Sequence, residues 1–100
     1  MSNNKPAENK EQVTERLAAL PEFSQSVYAA IHKSLYAEPY FSDVTVRDIA
    51  KGLGVKPVAI NAAVGHLIDA GLVLTELFDN GYDKPRTFLH TYEHDEFQLL

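Results

Sequence analysis

Residues 45–73 read TVRDIAKGLGVKPVAINAAVGHLIDAGLV, and the order of residue types in this stretch decides the fold. Thr45 is a good N-cap, and Asp48 three positions on can reach back to close a capping box. Val44 and Ile49 stand at the two positions of a hydrophobic staple. The spacing predicts a helix that turns Val46, Ile49, Ala50 and Leu53 inward and stops at Gly52 and Gly54. Gly54 suits the left-handed residue that commonly ends a helix. Pro57 then opens a second helix, where its missing amide would have gone unpaired anyway. Ile60, Val64 and Leu67 recur at spacings of four and three and form its inward face, and Gly71 closes it just after Ala70.

Upstream, Phe23, Val27, Ile31 and Leu35 recur every four residues with Ala30 alongside, which predicts an amphipathic helix. Pro21 fits its first position, and Pro39 stops it, because the residue before a proline disfavours helix. Residues 40–43 read as a turn or a short extended piece. Residues 11–20 (EQVTERLAAL) predict a short helix with Val13, Leu17 and Leu20 on one face. The polar residues 1–10, with Pro6, read as a disordered tail.

Downstream, residues 72–78 (LVLTELF) are apolar and strand-like. Asp79, Asn80 and Gly81 signal a turn, and residues 86–92 (RTFLHTY) read as a second strand with Pro85 just ahead of it. Residues 93–100 form an acidic and apolar tail. The predicted order is three core helices, strand, turn, strand.

One hundred residues amount to one domain, and 45% hydrophobic content supports a modest core. No run approaches the roughly 20 apolar residues of a membrane span. Residues 1–10 lack the apolar core of a signal peptide, so the expected location is the cytoplasm, away from membranes. The absence of Cys excludes disulfides and thiolate chemistry. The net charge is −5, with four basic and five acidic residues in 1–41, three of each in 42–74, and two basic against six acidic in 75–100. Nucleic-acid binders draw much of their affinity from phosphate neutralisation, so a basic patch here must be local.

The segment 45–73 resembles the helix-turn-helix of winged-helix transcription regulators, a group that includes the multiple-antibiotic-resistance regulators and the arsenic-type repressors. The likeness lies in small Ala50 under a crossing helix, Gly54 at the corner, Val55 plugging it, and Gly71, Leu72 and Val73 passing from helix into wing. It covers about residues 22–92. It implies a mostly α fold with a β-hairpin wing (α+β), a winged helix-turn-helix with a three-helix core over 21–92. The helix at 57–70 is then the recognition helix of a DNA-binding transcription regulator, lying in a major groove, with the wing at about 73–92 on the flanking backbone.

The resemblance turns Pro57, Val58, Ala59, Asn61, Ala62, Gly65, His66 and Asp69 outward. Asn61 can make a bidentate contact to adenine, or be a solvated helix residue. His66 can donate to a phosphate or a base, or be an ordinary surface histidine. Val58, Ala59 and Ala62 can meet a thymine methyl. Lys56 stands where relatives carry Ser or Thr, gaining a phosphate-binding cation and losing a cap worth about 1 kcal/mol. Lys84 and Arg86 can grip phosphate, or merely balance Glu76, Asp79 and Asp83. Tyr82 can stack on a partner or pack on the hairpin.

The expected nucleic-acid contacts are therefore Lys56, Pro57, Val58, Ala59, Asn61, Ala62, His66, Lys84 and Arg86, with double-stranded DNA as partner. A homodimer is expected through residues 11–20, parts of 21–37 and the tail at Phe97–Leu100. The alternative is an acidic winged-helix protein-interaction module. It would be an adaptor or a DNA mimic in a transcription, replication or segregation complex, acting through the smooth face of the third helix (Val58, Ala59, Ala62, Gly65, Ile68) or the wing.

No catalytic set is recognisable, so an enzyme is not expected. Gly52 and Gly54 follow a helix and lack the rest of a phosphate-loop pattern. No cofactor is implied. On a strand, His90 and His94 would lie roughly 13 Å apart at about 3.3 Å per residue, too far for one ion, so no metal is expected. Tyr28, Tyr36, Tyr40 and Phe41 can line a ligand pocket or serve as core and dimer packing.

Overall fold

The computed structural model describes residues 5–36 and 44–92. Within them the order is α1 (Lys10–Ala18), α2 (Glu22–Tyr36), α3 (Val46–Leu53), α4 (Pro57–Asp69), β1 (Val73–Phe78) and β2 (Arg86–Thr91), a small α+β domain. None of these helices is long and apolar enough to cross a membrane.

Local chemistry sets each boundary of α3 and α4. The Thr45 hydroxyl accepts from the Asp48 amide at 3.2 Å, and the Asp48 carboxylate accepts from the Thr45 amide at 3.0 Å. This is the capping box, and it satisfies two of the donors a helix start leaves orphaned. Gly54 ends α3 at φ 69°, and the next amide, of Val55, donates back to the Ala50 carbonyl at 3.0 Å. Gly71 ends α4 the same way at φ 73°, with Leu72 donating to the Leu67 carbonyl at 3.0 Å. Both corners use the left-handed residue and long return bond that close a helix and redirect the chain.

The core joins Val27 and Ile31 of α2, Ile49 and Ala50 of α3, and Ile60, Ala63, Val64 and Leu67 of α4. Leu72, Val73 and Leu89 add the base of the hairpin. Each large side chain buried here contributes about 1.5–3 kcal/mol. The strands pair antiparallel, with Val73 opposite Thr91 and Phe78 opposite Arg86. The Leu89 amide also donates to the Val44 carbonyl at 2.7 Å, so the lead-in to α3 lies along the free edge of β2.

Several expectations need correction. Residues 5–9, assigned to a disordered tail, run as a strap across the α4–β1 corner. Ala7 is buried there and its amide donates to the Gly71 carbonyl at 3.0 Å. The Arg16 guanidinium clamps the strap, donating to the carbonyls of Lys5 and, at 2.9 Å, Ala70. Phe23, assigned to the core stripe, is 40% exposed, and Leu53 is 37% exposed. Phe23 sits at the edge of the apolar arc of α2, and Leu53 is the last residue of α3. Ala63 joins the core instead. In β1 only Val73 is buried; Leu77 is 67% exposed although the stretch is mostly apolar. Pro21 lies one residue ahead of α2, where its carbonyl accepts the first helical bond from Gln25 at 3.1 Å. The Pro39 stop, the piece at 40–43 and the tail at 93–100 lie outside the described residues.

Candidate nucleic-acid interface

The corner at Gly54 delivers Lys56 and Pro57 to the start of α4. Lys56 is extended (φ −78°, ψ 146°) and makes no side-chain cap bond, so its ammonium is free to face outward. Four residues of α4 are buried, namely Ile60, Ala63, Val64 and Leu67, and the opposite face is open. Val58 is 70% exposed, and Pro57, Asn61, Ala62, His66 and Asp69 are exposed, with Ala59 and Gly65 half-buried. All the residues expected on the outward face of this helix lie there. Ile68, at 42% exposure, joins them.

The hairpin turn is organised by its own side chains. The Asp79 carboxylate accepts from the Gly81 amide at 2.9 Å. The Asn80 side-chain oxygen accepts from the amides of Tyr82 and Asp83 at 2.9 and 3.0 Å. These bonds hold the loop in shape and leave Tyr82 94% exposed at its tip. Tyr82 does not pack on the hairpin. Lys84 and Arg86 follow, both exposed.

The charges are distributed unevenly. Arg47 and Lys51, one turn apart on α3, are exposed, as are Lys56, Lys84 and Arg86. Among the described residues no carboxylate comes within 4.0 Å of any of these five. Of the nearby carboxylates, Asp83, beside Lys84, is exposed, and three are engaged: Asp48 in the capping box, Asp79 in the turn, and Glu76 at 3.5 Å from His90 across the hairpin. That contact is an ion-pair distance without hydrogen-bond geometry, since His90 Nε2 has no hydrogen-bond partner. The balancing role considered for Lys84 and Arg86 against Glu76, Asp79 and Asp83 is therefore not realised as ion pairs. Arg47 and Lys51 stand outside the contacts expected from the helix and wing. Their i, i+4 spacing on an exposed face was the available signal.

Away from this face, Tyr28, His32 and Tyr36 stack along α2 with ring separations of 6.0 and 4.7 Å. Burial, reinforced by nearby Tyr36, pushes the Tyr28 phenol up to about 12, and burial holds the His32 imidazole below its ordinary range. The Thr91 hydroxyl donates to Tyr36 at 3.2 Å. These rings pack the helix against its neighbours, while Tyr40 and Phe41 lie outside the described residues. Among the described residues no three His, Asp or Glu side chains gather as a metal site, and His94, Asp95 and Glu96 lie outside them.

The sequence matches no protein-family model, no curated protein and no solved structure.

Proposed function

We propose that this chain is a winged helix-turn-helix DNA-binding regulator, with α4 entering the major groove and the β1–β2 hairpin lying on the flanking backbone. The observation that carries the reading is the open face of α4 together with five exposed cations that, among the described residues, no carboxylate approaches within 4.0 Å. Helix-turn-helix domains bind with the second helix of the pair presented in this way. The edge bond from Leu89 to Val44 supports the winged form, because it ties the hairpin to the entry of α3. Asn61 is the base reader, His66 a phosphate or base donor, and Val58, Ala59 and Ala62 the surface for a thymine methyl. Lys56, Lys84 and Arg86 hold phosphates, with Arg47 and Lys51 beside them.

The test is a duplex titration at stepped salt. With five phosphates neutralised per chain, the logarithm of affinity falls with the logarithm of salt at a slope of about −4.5, roughly 500-fold between 50 and 200 mM. Binding that stays undetectable at low salt overturns the reading.

A second reading rests on a separate observation. Leu77, Phe78 and Tyr82 are 67%, 49% and 94% exposed on the hairpin, beside acidic Asp79 and Asp83. An apolar and acidic wing suits a protein partner. Absence of duplex binding moves the assignment to this protein-interaction module.

A further inference from the structure

We propose that two copies of this chain associate through α2. The helices cross antiparallel about a two-fold axis level with the Val27–Tyr28 peptide, and Phe23 of each copy seats in the α2–α3 groove of the other.

At about 100° per residue, Glu22, Ser26, Ala29 and Lys33 fall on one narrow arc of α2. All four are exposed, and the arc points away from the buried Val27 and Ile31. The arc is self-complementary when reversed. An antiparallel second copy sets Ser26 against Ala29 and Glu22 against Lys33, twice each. Glu22 lies in the first turn and Lys33 in the last, and among the described residues neither has an oppositely charged group within 4.0 Å. The opposed helix dipoles favour the same alignment. Ser26 and Ala29 are small enough for the axes to approach to about 8 Å.

The neighbouring side of α2 supplies the apolar contact. Beside the arc runs a groove of about 480 Å³, lined by Ala30, Ser34, Ile49, Gly52 and Leu53 among others. Phe23 projects on that same side, 40% exposed, one turn before the groove begins. The two-fold axis keeps the side and reverses the level. It therefore brings Phe23 of the second copy beside Ala30 and Ser34, over the exposed Leu53. Phe23 and Leu53, both left outside the core of one chain, are thereby buried by the other. The groove between α1 and α2, about 310 Å³ and lined by Val13, Leu17, Tyr28 and His32, lies on the other side of the arc and, among the described residues, has no exposed apolar side chain beside it to match Phe23.

The test needs no DNA, so it is decided separately from the assignment above. Sedimentation equilibrium of the full chain at tens of micromolar is expected to give twice the 11.1 kDa chain mass. Lys33→Glu opposes two carboxylates and is expected to weaken the dimer at least about tenfold, as is Phe23→Ala. The double exchange Glu22→Lys with Lys33→Glu restores the pairing and is expected to recover the dimer. Circular dichroism checks that each variant stays folded; if Phe23→Ala does not, the charge exchange decides the matter. A wild-type chain that remains at 11.1 kDa overturns the proposal. So do variants that stay dimeric, or a double exchange that fails to recover.

Discussion

Alanine at Gly71 removes nothing and adds one carbon, yet the corner it occupies has no room for it. The backbone there is left-handed at φ 73°, which costs an L-residue about 1–2 kcal/mol. The added Cβ would stand 2.5 Å from the Lys5 carbonyl oxygen and 2.6 Å from the Arg16 guanidinium. The first of these is backbone and cannot rotate away, so the strap at 5–9 must lift. Lifting it breaks the Ala7–Gly71 bond and loosens the Arg16–Ala70 bond, each worth about 1 kcal/mol. It also returns buried Ala7 to water. Gly71→Ala is therefore expected to cost about 3 kcal/mol in urea unfolding followed by circular dichroism. At about 4–8 °C per kcal/mol for a chain of this size, the thermal midpoint drops by about 12–24 °C. A chain lacking residues 1–8 separates the parts, because there the same change costs only the backbone term. A full-length loss under about 1 kcal/mol, or an equal loss in both chains, contradicts the strap.

Lys56→Ser supplies the missing cap of α4 and removes a cation. Unfolding experiments should show a gain of about 0.5–1 kcal/mol while duplex affinity falls and the salt slope loses about one. Gly65→Ala places a methyl group in open space inside a helix, so stability should rise by about 0.5–1 kcal/mol; unchanged or stronger duplex binding would remove that face from the DNA contact. Because the folded chain holds neutral His32, the unfolded chain takes up the proton first. The contribution of neutral His32 to stability is full above about pH 6.5 and is lost as the pH falls through its lowered folded range, and His32→Phe should flatten the urea midpoint between pH 7 and 5. Asn61→Ala should cost about 1–3 kcal/mol on a preferred duplex and nothing on a scrambled one, as read by competition binding; equal losses would show that Asn61 reads no base.

What was legible in the sequence was local. The Thr45–Asp48 box, the left-handed Gly54 and Pro57 at a helix start each act within four residues, so the residue types carry the geometry themselves. The strap was not legible because its partner, Gly71, is more than sixty residues away, and a polar decapeptide holding one alanine carries no mark of it. Phe23 fits its helical period but stands at the edge of the arc, and Leu53 fits its own but is the last residue of α3, so periodicity alone marks neither as exposed. The β1 residues misled for a related reason. Alternation is absent from LVLTELF, and only the base of the hairpin, Val73, Leu89 and Thr91, reaches the helices.

Net charge misleads about this surface for a physical reason. A carboxylate that accepts backbone amides, as Asp48 and Asp79 do, has spent part of its field on fixed donors a few ångströms away. Glu76 lies 3.5 Å from the His90 imidazole across the hairpin. Among the described residues the cations Arg47, Lys51, Lys56, Lys84 and Arg86 have no carboxylate within 4.0 Å, and their fields extend into solvent until salt screens them, within about 10 Å at 0.1 M. A phosphate approaching α4 therefore meets these five cations outside ion pairs among the described residues, with the exposed Asp69 and Asp83 as the acids that oppose it. An excess of negative charge over the whole chain is compatible with attraction at this one face. It also implies that such attraction fades quickly with salt, because little apolar contact from the smooth centre of α4 stands behind it.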